Sequence, residues 1–134
     1  MARISSGIFN KWLTNYGSAW EEGDPQKAAD LFSEGARYQV TPFTDPIEGK
    51  ESIRGYWETG PAGNQKDVSF SYSIISVRGN EGVAHWQVNF RRTGSNKFVE
   101  MDGILVAEFD DSGACTDFKE WWHRQETGHD DQKD

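Results

Sequence analysis

A single cysteine in 134 residues, Cys115, excludes an internal disulfide and fits a chain that works in a reducing compartment. Positive charge is also scarce, with 14 lysines and arginines against 22 acidic residues and a formal net charge of −8. Nucleic acids and anionic membrane surfaces are both held by cationic side chains, so neither is an expected partner. No apolar run approaches the length that spans a bilayer. The opening Met1-Ala2-Arg3-Ile4-Ser5-Ser6 lacks the apolar core of a signal peptide. The location expected from these absences is cytoplasmic. There is no Gly-rich phosphate loop, and no His, Cys or acidic cluster has the spacing of a zinc site, so no cofactor is expected.

Aromatic residues, by contrast, are plentiful: six tryptophans, four tyrosines and eight phenylalanines, within a hydrophobic fraction of only 35%. Each tryptophan or tyrosine brings a polar edge that needs a partner when buried. A core built this way suits a chain that encloses a pocket. The length fits one domain. Nothing resembling a repeat or linker divides it, and only residues 125–134 read as a polar, disordered tail, with His129 inside it.

The first half carries helical periodicity. Ile8, Phe9, Trp12, Leu13, Tyr16, Ala19 and Trp20 recur at spacings of three and four, one buried stripe on a helix capped by Ser5 or Ser6 and stopped at Gly23. Asp24-Pro25 restarts a short helix that carries Ala28, Leu31 and Phe32 inward. Arg37 to Val40 reads as a strand ended by Pro42, and Lys50 to Glu58 as a third helix bearing Ile53, Tyr56 and Trp57. The second half switches to period two. Val68, Phe70, Tyr72 and Ile74 alternate with polar residues, as do Ala84, Trp86, Val88 and Phe90. Turns at residues 79–82, 93–96 and 110–113 join these strands to two more, Lys97 to Phe109 and Cys115 to Arg124. Helices first and a meander after predict an α+β domain with helices on one sheet face.

Three segments in this order resemble the nuclear-transport-factor-two-like superfamily, in its SnoaL-like branch. They are Tyr16 to Asp24 followed by Ala29-Asp30-Leu31-Phe32-Ser33-Glu34, then Pro42-Phe43 with Pro46 to Ile53, then Phe109 to Gly113 with Glu120-Trp121-Trp122-His123. The resemblance covers residues 1–124. It implies a cystatin-like α+β cone, a strongly curved antiparallel sheet wrapped around three N-terminal helices and enclosing a pocket, commonly in a homodimer. The superfamily spans isomerases, cyclases, dehydratases, epoxide hydrolases and domains without catalysis, so chemistry has to come from the site.

Tyr16 occupies the helix position where the ketosteroid isomerase branch keeps an oxyanion-binding tyrosine. That branch places its general base just before the proline matching Pro42, where this chain has Thr41, so proton abstraction needs another carboxylate. Asp102 is the candidate. If the 93–96 loop pairs Arg92 with Phe98, Val88 faces Asp102, and both share the pocket face with Trp86. Leu105, Ala107 and Phe109 have the opposite parity, which a bulge at Gly103 would reconcile. The competing role for Asp102 is a structural pairing, for example with Arg124. Phe118, Glu120, Trp122 and Arg124 share one face of the last strand, with Glu120 or Arg124 a polar anchor near the rim. Trp20, Phe32, Tyr38, Phe43, Tyr56, Trp57, Trp86, Phe118 and Trp122 form the inward aromatic set, while His85, Trp121 and His123 fall on the outer face. The ligand is expected to be a hydrophobic, ring-containing small molecule. Three classes follow: a cofactor-independent isomerase, cyclase or dehydratase, a non-catalytic binding domain of the same shape, and a dimeric interaction module.

Overall fold

Ser5 accepts a hydrogen bond from Ile8 N at 3.1 Å and opens α1, Ser6–Glu22, supplying one of the partners a helix N-terminus lacks. Gly23 ends it in the left-handed region at φ 63°, donating to the Ala19 and Trp20 carbonyls, a conformation glycine adopts without penalty. The buried stripe is Phe9, Trp12, Leu13, Tyr16, Ala19 and Trp20. Ile8, expected on it, is exposed instead. Asp24 caps α2, Pro25–Ala29, by accepting from Lys27 N at 3.1 Å. This helix is shorter than its sequence suggests. Leu31 already offers its carbonyl to Cys115 N, and Phe32 begins a strand, β1, Phe32–Gln39.

The computed structural model describes residues 3–127. After β1 come a two-residue strand β2, Ile47–Glu48, then α3, Lys50–Thr59, and one further helical turn α4, Pro61–Asn64. Four long strands complete the chain: β3 (Gln65–Arg78), β4 (Glu81–Arg92), β5 (Phe98–Phe109) and β6 (Cys115–Thr127). Residues 125–127, expected in the tail, extend β6, and residues 128–134, with His129, lie outside the described residues. No described helix is long and apolar enough to cross a membrane.

The six strands form one curved, unclosed sheet in the order β2-β1-β6-β5-β4-β3. It is mixed rather than wholly antiparallel, because β1 runs parallel to β6 with Tyr38 beside Phe118. The ends of β1 and β6 are joined through the whole intervening chain, so no hairpin dictates their relative direction. Register shifts between Lys66 and Ser69, between Ile74 and Ser76, and between Glu108 and Phe109 mark bulges, which bend strands and increase twist.

Across the concave face, residues of equal parity line up in rows: Gly82–Ala107–Phe118, Ala84–Leu105–Glu120, Trp86–Gly103–Trp122, Val88–Met101–Arg124 and Phe90–Val99–Glu126. The first rows pack against α1. Phe118 stacks on Tyr38 at 4.8 Å and meets Trp12, Tyr16 and Phe32. At this end the core is solid. Toward the last rows a cavity opens between the sheet and Trp20, Tyr56 and Trp57.

Candidate functional site

Between the C-terminal ends of α1 and α3 and the far ends of β4, β5 and β6 lies a cavity of about 160 Å³. Trp20 of α1 and Tyr56 and Trp57 of α3 form one wall, continued by Gly60, Pro61, Asn64 and Gln65. Tyr38 and Val40 close one side, and Phe90, Met101, Glu120 and Trp122 line the sheet side, with Arg92 and Arg124 at the mouth. Two indoles are fixed by their N–H groups: Trp20 donates to Gln65 Oε1 at 2.7 Å and Trp122 to the Val40 carbonyl at 2.9 Å. Trp57 Nε1 and Trp86 Nε1 have no hydrogen-bond partner. Leaving a buried donor unpaired costs about 1–3 kcal/mol.

Among the described residues, Glu120 is the one acidic or basic side chain in the core, 6% exposed. Its Oε1 has no partner. Burial alone pushes its carboxyl up to about 8, because an ionised carboxylate is poorly solvated there. At neutral pH the group is therefore mostly an un-ionised acid. Beside it stand three phenols. Tyr16 and Tyr38 share a hydrogen bond of 3.1 Å, and burial, with the neighbouring Glu120, holds both far above the usual phenol range. Tyr56 is raised by the same two causes. All three remain protonated donors at any working pH.

Strand parity explains why Glu120 reaches this place. It sits two residues from Phe118 and two from Trp122, on the inward face of β6, opposite Leu105. The same parity corrects the expectation for Asp102. The 93–96 loop pairs Arg91, not Arg92, with Phe98, and Val88 therefore faces Met101. A shift of one residue moves a whole strand to the other face. Asp102 stands on the outer face, accepting hydrogen bonds from Gln87 Nε2 at 2.9 Å and lying 2.8 Å from His85 Nε2. Those two bonds hold its carboxyl below the usual range, the opposite of a pocket base. Nor does it pair with Arg124. Gly103 is not a bulge. It pairs in register with Trp86 and Trp122, and Leu105, Ala107 and Phe109 keep their inward parity.

Phe43 is also corrected. It is 93% exposed, on the loop whose turn is made by Phe43 N donating to Thr41 Oγ1. Phe32, Trp86, Val88 and Phe118 are buried, but none lines the cavity, and Tyr16 touches it only through Tyr38. Trp20, Tyr38, Tyr56, Trp57, Glu120 and Trp122 do line it. Sequence reasoning missed Arg92. Extending the alternation of Trp86, Val88 and Phe90 by one step would have found it.

A second hollow, about 460 Å³, lies on the outer face among Ser71, Gln87, Asp102 and His123. It is the larger of the two, but its side chains are solvated and its carboxylate already satisfied. The smaller cavity is lined by Trp57 and Glu120, two of the three residues with an unpaired buried polar atom, and is the stronger site. Among the described residues, no group of three or more His, Cys, Asp or Glu is placed to hold a metal.

Solved structures share this architecture at low sequence identity. An isomerase candidate from Bacillus subtilis superposes with a TM-score of 0.77 at 21% identity, covering 87% of each chain. The epoxide hydrolase/cyclase-like enzyme SalBIII, associated with pyran ring formation in the polyether salinomycin, gives 0.76 at 15% identity, over 89% of this chain and 93% of that one. RV0760c from Mycobacterium tuberculosis gives 0.79 at 12% identity, over 93% of this chain and 100% of its own. No curated protein matches the sequence significantly. The SnoaL-like domain family matches residues 13–118. With that match over most of its length and this fold, the chain belongs to the SnoaL-like domain family of the NTF2-like superfamily.

Proposed function

We propose that this chain binds a small, ring-containing molecule in the aromatic cavity and moves a proton on it through Glu120, as a cofactor-independent isomerase, cyclase or dehydratase. The observation that carries the reading is the enclosed Glu120 carboxyl, with a free Oε1 and a pKa near 8. A carboxyl that titrates close to working pH can give its proton to a carbonyl, ether or hydroxyl oxygen and take one back from carbon. Tyr38, with Tyr16 behind it, supplies a neutral donor for the oxygen on which charge develops. Trp20, Tyr56, Trp57 and Trp122 hold the ring. The SalBIII likeness is compatible with this chemistry.

One observation favours a non-catalytic binding domain instead: Glu120 is the only carboxyl among the cavity-lining residues, so no second acid or base stands opposite it. A screen of single-ring carbonyl and epoxide compounds, read by indole fluorescence and then by turnover, separates the two. Glu120→Gln should keep binding and lose turnover, while Asp102→Asn should change neither. Binding without turnover by any compound would leave the binding-domain reading.

The outer sheet face supports the expected second partner, another copy of this chain. Trp121 is exposed there and pairs with Ile104, the neighbouring row pairs Val83 with Val106, and the exposed Ile75 lies at the irregularity of β3, beside the His85–Asp102–Gln87 group. An apolar strip of this kind suits a self-complementary contact. Sedimentation equilibrium should show a dimer at micromolar concentration, and Trp121→Glu should shift it to monomer. A monomer in both would end the dimer reading.

A further inference from the structure

We propose that the ligand of the cavity is a compact single-ring anion, its carboxylate or enolate oxygens held by Arg92 and Arg124 at the mouth and its ring laid along Trp122. This rests on the small-molecule reading above and narrows it to a substrate class.

Size sets the first limit. A cavity of about 160 Å³ is close to the ~150 Å³ that accommodates one benzene ring. A single ring fills it.

Charge sets the second. In a chain of net charge −8, two of the three ionisable side chains other than tyrosine along this cavity are arginines. Both contact the same carboxylate: Arg92 reaches Glu126 at 3.0 Å and Arg124 at 3.3 Å. One carboxylate between two guanidiniums leaves a unit of positive charge unbalanced, and Lys97 adds to the field on Glu126. Glu120 is mostly un-ionised at neutral pH and cancels little of it. The mouth thus attracts anions on a protein that otherwise repels them.

Preorganisation is the third point. Arg92 lies over the Phe90 ring at 5.7 Å and Arg124 over the Trp122 ring at 5.9 Å. Each guanidinium rests on an aromatic wall of the cavity, which lowers the cost of ordering it. Planar, weakly hydrated guanidinium groups fit a carboxylate through paired hydrogen bonds. Glu120 and Arg124 share one face of β6 four residues apart, roughly 13 Å between Cα atoms, with Trp122 between them. A ring lying on Trp122 would present its anionic end to the arginines and its far end to Glu120.

Titration calorimetry of the full chain with benzoate, benzamide and benzyl alcohol at mildly acidic pH tests this. Benzoate should bind at least about tenfold more tightly than benzamide, and the preference should shrink as salt is raised. Arg92→Gln and Arg124→Gln should each weaken benzoate by a larger factor than benzamide, so that the preference shrinks. Glu126→Gln, which frees the arginines and removes no cation, should tighten benzoate several-fold. Equal binding of benzoate and benzamide, or a preference unchanged in both arginine variants, would overturn the anion assignment and leave the pocket reading standing. Failure of all three rings to bind would remove both.

Discussion

Glu120→Gln should flatten the pH dependence of folding stability between about pH 4.5 and about pH 8. In the unfolded chain this carboxyl titrates near 4.5, whereas in the fold it is pushed up to about 8. Across that window the native state binds the proton more tightly than the unfolded state. Stability therefore falls as pH rises. A shift of this size corresponds to about 3–5 kcal/mol, most of it lost by the time the native carboxyl ionises. Glutamine keeps the shape and cannot ionise. It brings an NH2 group into a place where Oε1 has no partner, which costs about 1–3 kcal/mol irrespective of pH. The slope, rather than the absolute stability, is the informative quantity. Carboxylates held below their usual range, Glu22, Asp102, Asp110 and Glu126, act in a separate window. Their contribution is present above the unfolded carboxylate range and lost only as pH falls below it. Urea unfolding of both proteins at several pH values in the window gives the comparison. Parallel slopes would show that Glu120 ionises freely in the fold, and the acid–base reading of the cavity would go with it.

How far the fold could be read from sequence depends on whether a feature is local. The stripe from Phe9 to Trp20 and the Ser5 cap rest on spacings of three and four residues within one helix, and the structure keeps them. The alternation from Ala84 to Phe90 is equally local and assigns every residue to its observed face. Glu120 followed from the same rule, by its parity with Phe118. Asp102 did not, because its face depends on how many residues the preceding turn consumes. Asn96, in the left-handed region at φ 60°, and the bond from Arg92 N to the Lys97 carbonyl close that turn one residue earlier than the loop composition suggested. The parallel pairing of β1 with β6 joins segments about eighty residues apart and has no local signature. The charged mouth was hidden differently. Arg91 and Arg92 are adjacent in sequence, yet alternation sends Arg91 over the Phe98 ring on the outer face and Arg92 over Phe90 on the inner one.

Gly103→Ala should destabilise the fold by about 2–3 kcal/mol, a large effect for one methyl group. Gly103 faces inward between Trp86 and Trp122. A Cβ there would lie 2.5 Å from the Trp121 carbonyl oxygen, 2.8 Å from Trp86 Cζ2 and 2.9 Å from Trp122 Cβ. All three are closer than atoms tolerate, and one belongs to the backbone of β6, which cannot turn away as a side chain can. Relief requires the β5–β6 ladder to part or two indoles to leave their places. Added volume in a packed interior of this kind costs about 1–3 kcal/mol, occasionally more. Part of the loss is offset, since alanine restricts the unfolded chain more than glycine does. Gly94→Ala is the control, because nothing lies within 4 Å of its Cβ position, and its effect should stay within about 0.5 kcal/mol. Trp86→Phe added to Gly103→Ala should recover only part of the loss, since the carbonyl contact remains. The functional consequence lies in Trp122, whose indole forms a cavity wall beside Glu120 and supports Arg124. Displacing it would weaken ligand binding even in a variant that still folds. Denaturation midpoints of the four proteins decide the matter: a Gly103→Ala protein as stable as its parent would mean that β5 does not meet β6 in this register, and the inward assignment of Glu120 opposite Leu105 would fall with it.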